Sequence, residues 1–281
     1  MDGTTHVGVT RAGGRVRCDL RPGALSARVL STGPASARVA LVATRALLLG
    51  GDHVRFEVRV GAGVELELVD VSGTVAYTGR GRAASWDVDA DVADGGLLVW
   101  DALPFVVAEG ADVERRTTVR LGADAVALLR ETLVLGRTGE TGGRLRASTR
   151  VERRTGEPGA PAGSEPAWPP VRELFVEDLD LGPDRGLPGI LGPARVVDSV
   201  LLAGTRPPPP HAGAGRTPLR LDLDGPGAVA RHLGASTHDA GLDAVVATWA
   251  TAARTRHRAG PRDPAPSATH DHRTTLQTTG A

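Results

Sequence analysis

Between about residue 25 and about residue 150 the chain alternates apolar and polar positions with a period of two, broken by glycines roughly every ten residues. Phe56, Val58 and Val60 fall on one face of a strand while Glu57 and Arg59 fall on the other. Val64, Leu66 and Leu68 repeat the pattern against Glu65 and Glu67, and Trp86, Val88, Ala90 and Val92 repeat it against Asp87, Asp89 and Asp91. The pattern predicts strands with one wet face and one dry face. The breaks fall at Gly50-Gly51-Asp52, Gly61-Ala62-Gly63, Gly79-Arg80-Gly81, Asp94-Gly95-Gly96, Glu109-Gly110, Leu121-Gly122 and Gly136 to Gly139. Glycine supplies the positive φ of hairpin turns, so hairpins are expected there. Two runs differ: 125–129 and 132–135 are almost continuously apolar, as in strands covered on both faces. They flank Arg130 and Glu131, a charged pair that needs partners or a polar cavity.

Residues 155–170, TGEPGAPAGSEPAWPP, are too rich in Pro and Gly for regular structure and predict a loop between an N-terminal β-rich part (1–154) and a C-terminal β part with a helix (171–257). Strands are predicted over 172–176 and 194–202, and the prolines at 207–210 break the pattern. In 240–254, Leu242, Val245, Val246 and Trp249 recur at helical spacing among alanines. The tail 258–281 carries almost no large apolar side chain and is expected to be disordered. No solenoid-type repeat is visible. The expected fold is mainly β, a large multi-stranded twisted scaffold of two packed sheets with one or two helices near the C-terminus.

Composition narrows the function. The 33 basic and 33 acidic side chains of the 281 residues cancel, which argues against a nucleic-acid binder. Every basic residue is Arg, and four Trp, one Tyr and three Phe leave the core to Val, Leu and Ala. A lone cysteine, Cys18, has no internal partner, so a reducing compartment is expected. No secretory signal pattern opens the chain and no stretch approaches the ~20 apolar residues of a membrane span, so a cytoplasmic protein with no membrane partner is expected.

Motifs for chemistry are sparse. There is no Gly-x-Ser-x-Gly nucleophile turn and no phosphate-cradling Gly-rich loop opening a helix. The eight histidines are scattered or near the termini, and His270-Asp271-His272 sits in the tail, so a closed metal site is not expected. Three carboxylates stand out. Asp52 follows a Gly-Gly turn and reads most simply as a turn acid bonded to nearby backbone N–H groups. Glu131 interrupts an apolar run and reads as half of an ion pair with a buried Arg. Glu140 follows a Gly-Arg-Thr-Gly turn and reads as a loop charge. Glu131 and Glu140 facing one open cleft, about 5–10 Å apart, would instead suit a two-carboxylate hydrolase.

The order of features resembles the urease accessory protein D family (UreD, also called UreH). The resemblance rests on Leu47-Leu-Leu-Gly-Gly-Asp-His-Val-Arg55, the Gly61-x-Gly63 turn, Thr74-Val-Ala-Tyr77, Ala84-Ser-Trp-Asp-Val88 and Gly95. It continues in Trp100 to Ala111, in Arg130-Glu-Thr-Leu-Val-Leu-Gly-Arg137 with Gly139-Glu140, and in Arg172-Glu173, Arg195-Val-Val197 and 227–254, covering about residues 25 to 255. The chain departs from the family in reading Val69-Asp70-Val71 where a Thr-Thr-Gln run is usual, in placing Arg130 where an aromatic is usual, and in shortening a Met-Gly-Glu to Thr138-Gly-Glu140. The resemblance implies a non-catalytic β scaffold that binds urease apoprotein and the accessory proteins F and G, the latter a GTPase, and that helps nickel reach the urease active site through an internal polar passage. It implies no permanently bound cofactor, only nickel in transit. On this reading Asp52, Glu131, Glu140 and Glu173 are candidate transient nickel or interface groups. A two-carboxylate hydrolase and a generic β binding module are the alternatives.

Overall fold

The alternating segments form two sheets packed face to face. The computed structural model describes residues 3–154, 171–209, 218–239 and 241–260. The described residues form seventeen strands, two 3₁₀ turns and one helix. The strands are β1 (Thr5–Ala12), β2 (Arg15–Arg21), β3 (Leu25–Thr32), β4 (Ser36–Ala43), β5 (His53–Val60), β6 (Glu65–Asp70), β7 (Thr74–Ala76), β8 (Ala84–Val92) and β9 (Leu97–Asp101). They continue as β10 (Phe105–Val107), β11 (Asp112–Leu121), β12 (Val126–Leu135), β13 (Arg144–Arg154), β14 (Val171–Leu181), β15 (Val196–Ala203), β16 (Leu219–Asp222) and β17 (Gly227–Gly234), and the helix α1 spans Asp243–Ala259. The first sheet has the order β14-β13-β11-β8-β5-β1-β2. The second has the order β16-β17-β15-β12-β9-β6-β4-β3, with β7 and β10 beside the end of β12.

The expected hairpins at the glycine turns are corrected by the pairing. From β4 to β13 the chain alternates between the sheets, so that β5, β8, β11 and β13 pair in parallel in one sheet and β4, β6, β9 and β12 pair in parallel in the other. Each turn is therefore the corner of a coil. Phe56, Val88, Thr117 and Thr149 are directly stacked neighbours from successive coils, a structural repeat with no counterpart in sequence similarity. Parallel strands need a crossover, and here the crossover of each sheet is a strand of the other. Among the described residues antiparallel pairing is confined to β1 with β2, β3 with β4, β13 with β14, and the run β12, β15, β17, β16. Strands β1 and β2 lie ahead of the alternating region 25–150: the inward face of β1 has only Val7 and Val9 beside Thr5, too short an apolar run to read as a strand.

The dry faces meet in one core. Val54, Phe56, Val58, Trp86, Val88, Leu66, Leu68, Trp100, Leu133 and Leu135 are all buried there. Phe56 packs edge-on against Trp100 with centroids 5.6 Å apart, and Trp86 does the same against Phe105 at 5.9 Å. The outer face of the first sheet stays wet and charged, with Arg59 and Arg120 both bonded to Asp89, and Arg154 to Asp91. The second sheet is covered on its far side by α1, whose Val246, Trp249, Ala250 and Ala253 pack with Leu97, Val99, Val126, Leu128, Val200 and Leu202. That second contact is why the runs around Arg130 and Glu131 read as continuously apolar. Strand β14 joins β13, and β15 joins β12, so the segments on either side of residues 155–170 build the same two sheets. The expected loop at 155–170 and the tail from 261 onward lie outside the described residues; Arg258 and Ala259 belong to the helix.

Candidate functional site: a polar cavity between the sheets

Inward-facing positions change character along the coils. In the first sheet one row runs Val54, Trp86, Arg115, Ala147, and the next runs Phe56, Val88, Thr117, Thr149, Glu177. In the second sheet the row Leu68, Trp100, Leu129, Leu201, Val229 is apolar, and the row beside it places Glu131, Ser199 and Arg231 side by side on β12, β15 and β17. The interior is thus apolar over the early coils and polar where β11, β13 and β14 face β12, β15 and β17. Between them lies a cavity of ≈ 40 Å³ whose walls include Arg115, Thr117, Glu131, Glu177, Ser199 and Arg231. That is room for roughly three waters.

Two ion pairs furnish the cavity. Arg231 reaches across to Glu177 through two parallel hydrogen bonds, both 2.7 Å, and its Nε donates to Ser199 Oγ at 2.9 Å. All three nitrogens of the guanidinium are engaged, so this pair has a fixed geometry. Arg115 donates from Nε to Glu131 Oε1, with its guanidinium 5.0 Å from the Phe105 ring centroid and 5.8 Å from that of Trp86. Its two terminal nitrogens bond no acceptor among the described residues. Thr117 Oγ1 is buried on the cavity wall and also lacks a hydrogen-bond partner there.

Asp70, at the end of β6, lies close by. Its Oδ1 accepts from Trp100 Nε1 at 3.1 Å and its Oδ2 from the Leu103 backbone N–H at 3.0 Å. Burial pushes its carboxyl above the ordinary value, while the Trp100 and Leu103 donors and the charge of Arg115 pull it back. Continuing the β6–β9–β12 register by two residues aligns Asp70, Ala102 and Glu131 in one row.

On the opposite side of the second sheet, Arg130 turns away from the core to Asp198, which is fully buried, with bonds of 3.0 and 2.8 Å, and to Asp243 of α1 at 2.7 Å. The Asp198 hydrogen bonds hold the Arg130 guanidinium above its ordinary value. Neighbouring residues 130 and 131 therefore serve opposite faces: one fastens the helix and the other lines the cavity.

The four carboxylates singled out from the sequence are not brought together. Glu131 lines the cavity and is held by Arg115, the buried ion pair expected of it. Asp52 closes its turn, accepting from the Leu49 backbone N–H at 3.1 Å. Glu140 closes another, accepting from the backbone N–H of Arg137 at 2.9 Å and of Glu109 at 3.1 Å and from the Arg137 side chain, whose hydrogen bond does most to depress its carboxyl to about 2. Glu173 is exposed on β14 and bonded to Arg150 at 2.8 Å. Glu140 and Glu131 thus share no open cleft, and the geometry of a two-carboxylate hydrolase is not formed by them. Among the described residues no three His, Cys, Asp or Glu side chains converge as metal ligands, and no helix is long and apolar enough to cross a membrane. The cavity residues that sequence reasoning missed, Arg115, Thr117, Thr149, Glu177, Ser199 and Arg231, do leave a trace there. Each is a polar residue at the inward phase of a strand whose inward positions are mostly apolar.

Comparison with known proteins places this geometry in a family. A family model described as UreD urease accessory protein matches residues 1–265. Urease accessory protein UreD 1 of Streptomyces griseus is 47% identical over 258 residues, 89% of this chain and 92% of that protein. The UreD of Frankia alni is 43% identical over 194 residues, 64% of this chain and 62% of its own, and that of Rhodopseudomonas palustris is 30% identical over 233 residues, 78% of each. With a match across nearly the whole described fold, including every strand that walls the cavity, the chain belongs to the UreD family of urease accessory proteins.

Proposed function

We propose that this chain is a non-catalytic scaffold of urease maturation which docks urease apoprotein and the accessory proteins F and G, and that nickel in transit passes through the cavity between its sheets. The observation that carries the passage is the polar row of Glu131, Ser199 and Arg231 facing Arg115, Thr117 and Glu177 inside a sandwich whose interior is otherwise apolar. Buried polar groups are expensive unless partnered, so a polar seam through a core has to be explained by what it does. Carboxylate and hydroxyl oxygens hold a borderline divalent ion more weakly than a thiolate or imidazole cluster, which suits handover better than storage. Glu131 is the carboxylate best placed to meet the ion. Asp52 and Glu140 act one step back by holding the turns that close the coils, and exposed Glu173 is available to a partner surface. The work is assigned to the cytoplasm, in keeping with a single, partly buried Cys18 whose thiol burial pushes up.

The test is urease activation in a host that lacks this gene, complemented with the wild-type chain or with Glu131→Gln. The wild type is expected to restore activity and to copurify with urease subunits and accessory protein F. Glu131→Gln should copurify equally well yet lower nickel loading of urease about tenfold or more, the scale on which altered metal-site surroundings act. Equal loading with both chains removes the passage, and failure of the wild type to bind either partner removes the scaffold.

A further inference from the structure

Resting on that reading of the cavity, the geometry points to Arg115 as a displaceable counter-ion of Glu131 with Asp70 as its second seat. Among the described residues a divalent ion entering the cavity meets no unpaired carboxylate, because Glu177 is taken by Arg231 through two bonds and Glu131 by Arg115. The two pairs are not equivalent. Arg231 is locked by three hydrogen bonds, including the one to Ser199. Arg115 holds Glu131 through Nε alone, and its terminal nitrogens have no acceptor among the described residues. The guanidinium rests over Phe105 and Trp86, a surface along which a flat cation can slide while keeping its attraction to the rings.

Asp70 is where such a slide ends. In the row obtained by continuing the register, Ala102 stands between Asp70 and Glu131, and with neighbouring strands about 4.8 Å apart their backbones are about 10 Å apart across two strands. Arg115 projects from the facing sheet onto Glu131, close enough to Asp70 for its charge to lower the Asp70 carboxyl. Among the described residues each Asp70 oxygen accepts one hydrogen bond, from Trp100 or from Leu103, which leaves a lone pair on each for a guanidinium. When a divalent ion binds Glu131, the like charges of the ion and Arg115 repel, and Asp70 receives the displaced arginine. The ion then finds the freed Glu131 carboxylate beside Ser199 and the unpartnered Thr117 hydroxyl. Asp70 acts through Arg115 and is a positioning residue.

The experiment is Ni²⁺ binding to the purified full chain, read by competition with a colorimetric chelator, with near-ultraviolet circular dichroism as the control for folding. Asp70→Asn is expected to weaken nickel binding about tenfold, since Arg115 then has no charged seat to move to. Arg115→Met is expected to bind nickel more tightly than wild type, because Glu131 starts free. The double variant is expected to lose the Asp70→Asn defect, a rescue that a purely structural role of Asp70 in its turn would not produce. Glu131→Gln should bind weakly whatever stands at 70 and 115. If Glu131→Gln weakens binding but Arg115→Met binds no tighter than wild type, the counter-ion inference is overturned while the passage stands. A double variant as weak as Asp70→Asn overturns it in the same way. Unchanged binding by Glu131→Gln overturns both. Arg115→Met alone decides the matter if Asp70→Asn does not fold.

Discussion

Single residues in this protein are best understood by which face of a strand they occupy. Arg130 and Glu131 are adjacent in sequence, yet one is bonded to buried Asp198 under the helix and the other to Arg115 in the cavity. Glu140 shows how a local motif creates a pH dependence. Its carboxyl lies at about 2 in the folded chain against an ordinary 4.5, so its ionised form contributes stability that is fully present above pH 4.5 and is lost as pH falls toward 2. Thermal unfolding of the wild type and of Glu140→Gln should therefore differ most above pH 4.5, with the gap closing in acid. A gap that stays constant between pH 6 and pH 2 would show that the Glu140 charge does not hold the turn.

At the scale of the element, α1 is the piece whose attachment can be dissected. Its apolar side buries Val246, Trp249, Ala250 and Ala253, while Arg254 bonds Glu65 at 2.7 Å and Glu67 at 2.8 Å, and Arg256 bonds Asp124 at 2.7 Å. Burial outweighs these partly exposed ion pairs. Removing a large buried aromatic costs about 3–5 kcal/mol, whereas a solvent-exposed pair is worth about 0–1 kcal/mol. Trp249→Ala is expected to destabilise the chain several times more than Arg254→Ala in denaturant unfolding. The reverse order would mean that charge, and not the apolar stripe, seats the helix. The end of β15 carries a different constraint. Gly204 has φ +97° and a Cβ there would run into the Ala125 carbonyl, so only glycine lets β15 end against the start of β12.

For the molecule as a whole, the coil leaves two sheet edges at each side of the sandwich, β2 and β14 in one sheet and β3 and β16 in the other. Three of these edges carry exposed apolar side chains: Val29 and Leu30 on β3, Val171 and Val176 on β14, and Leu219 and Leu221 on β16, the last two 59% and 54% exposed. Unpaired edges with apolar side chains favour association. The isolated chain is expected to self-associate at micromolar concentration and Leu219→Glu with Leu221→Glu to reduce this, as read by size-exclusion chromatography with light scattering. A wild-type chain that remains a monodisperse monomer when concentrated would contradict this expectation.

The sequence by itself determined the β class, the phase of most strands and the position of the helix, because apolar alternation and helical spacing are local properties of the chain. The wet charged face of β5 and β8 and the doubly covered β12 were legible in this way, as was the need of Glu131 for a partner. Family membership was legible too, from motifs in register. Only the tertiary structure decided that the strands pair in parallel as coils, since the period of two is the same for either direction and a glycine corner looks like a hairpin turn. It alone decided which polar residues meet. Glu131 on β12 finds Arg115 on the preceding strand β11, and Glu177 on β14 finds Arg231 on β17, each across the gap between the two sheets. Such long-range pairing leaves no local pattern beyond a polar residue on a dry face, and the cavity exists only where those faces come together.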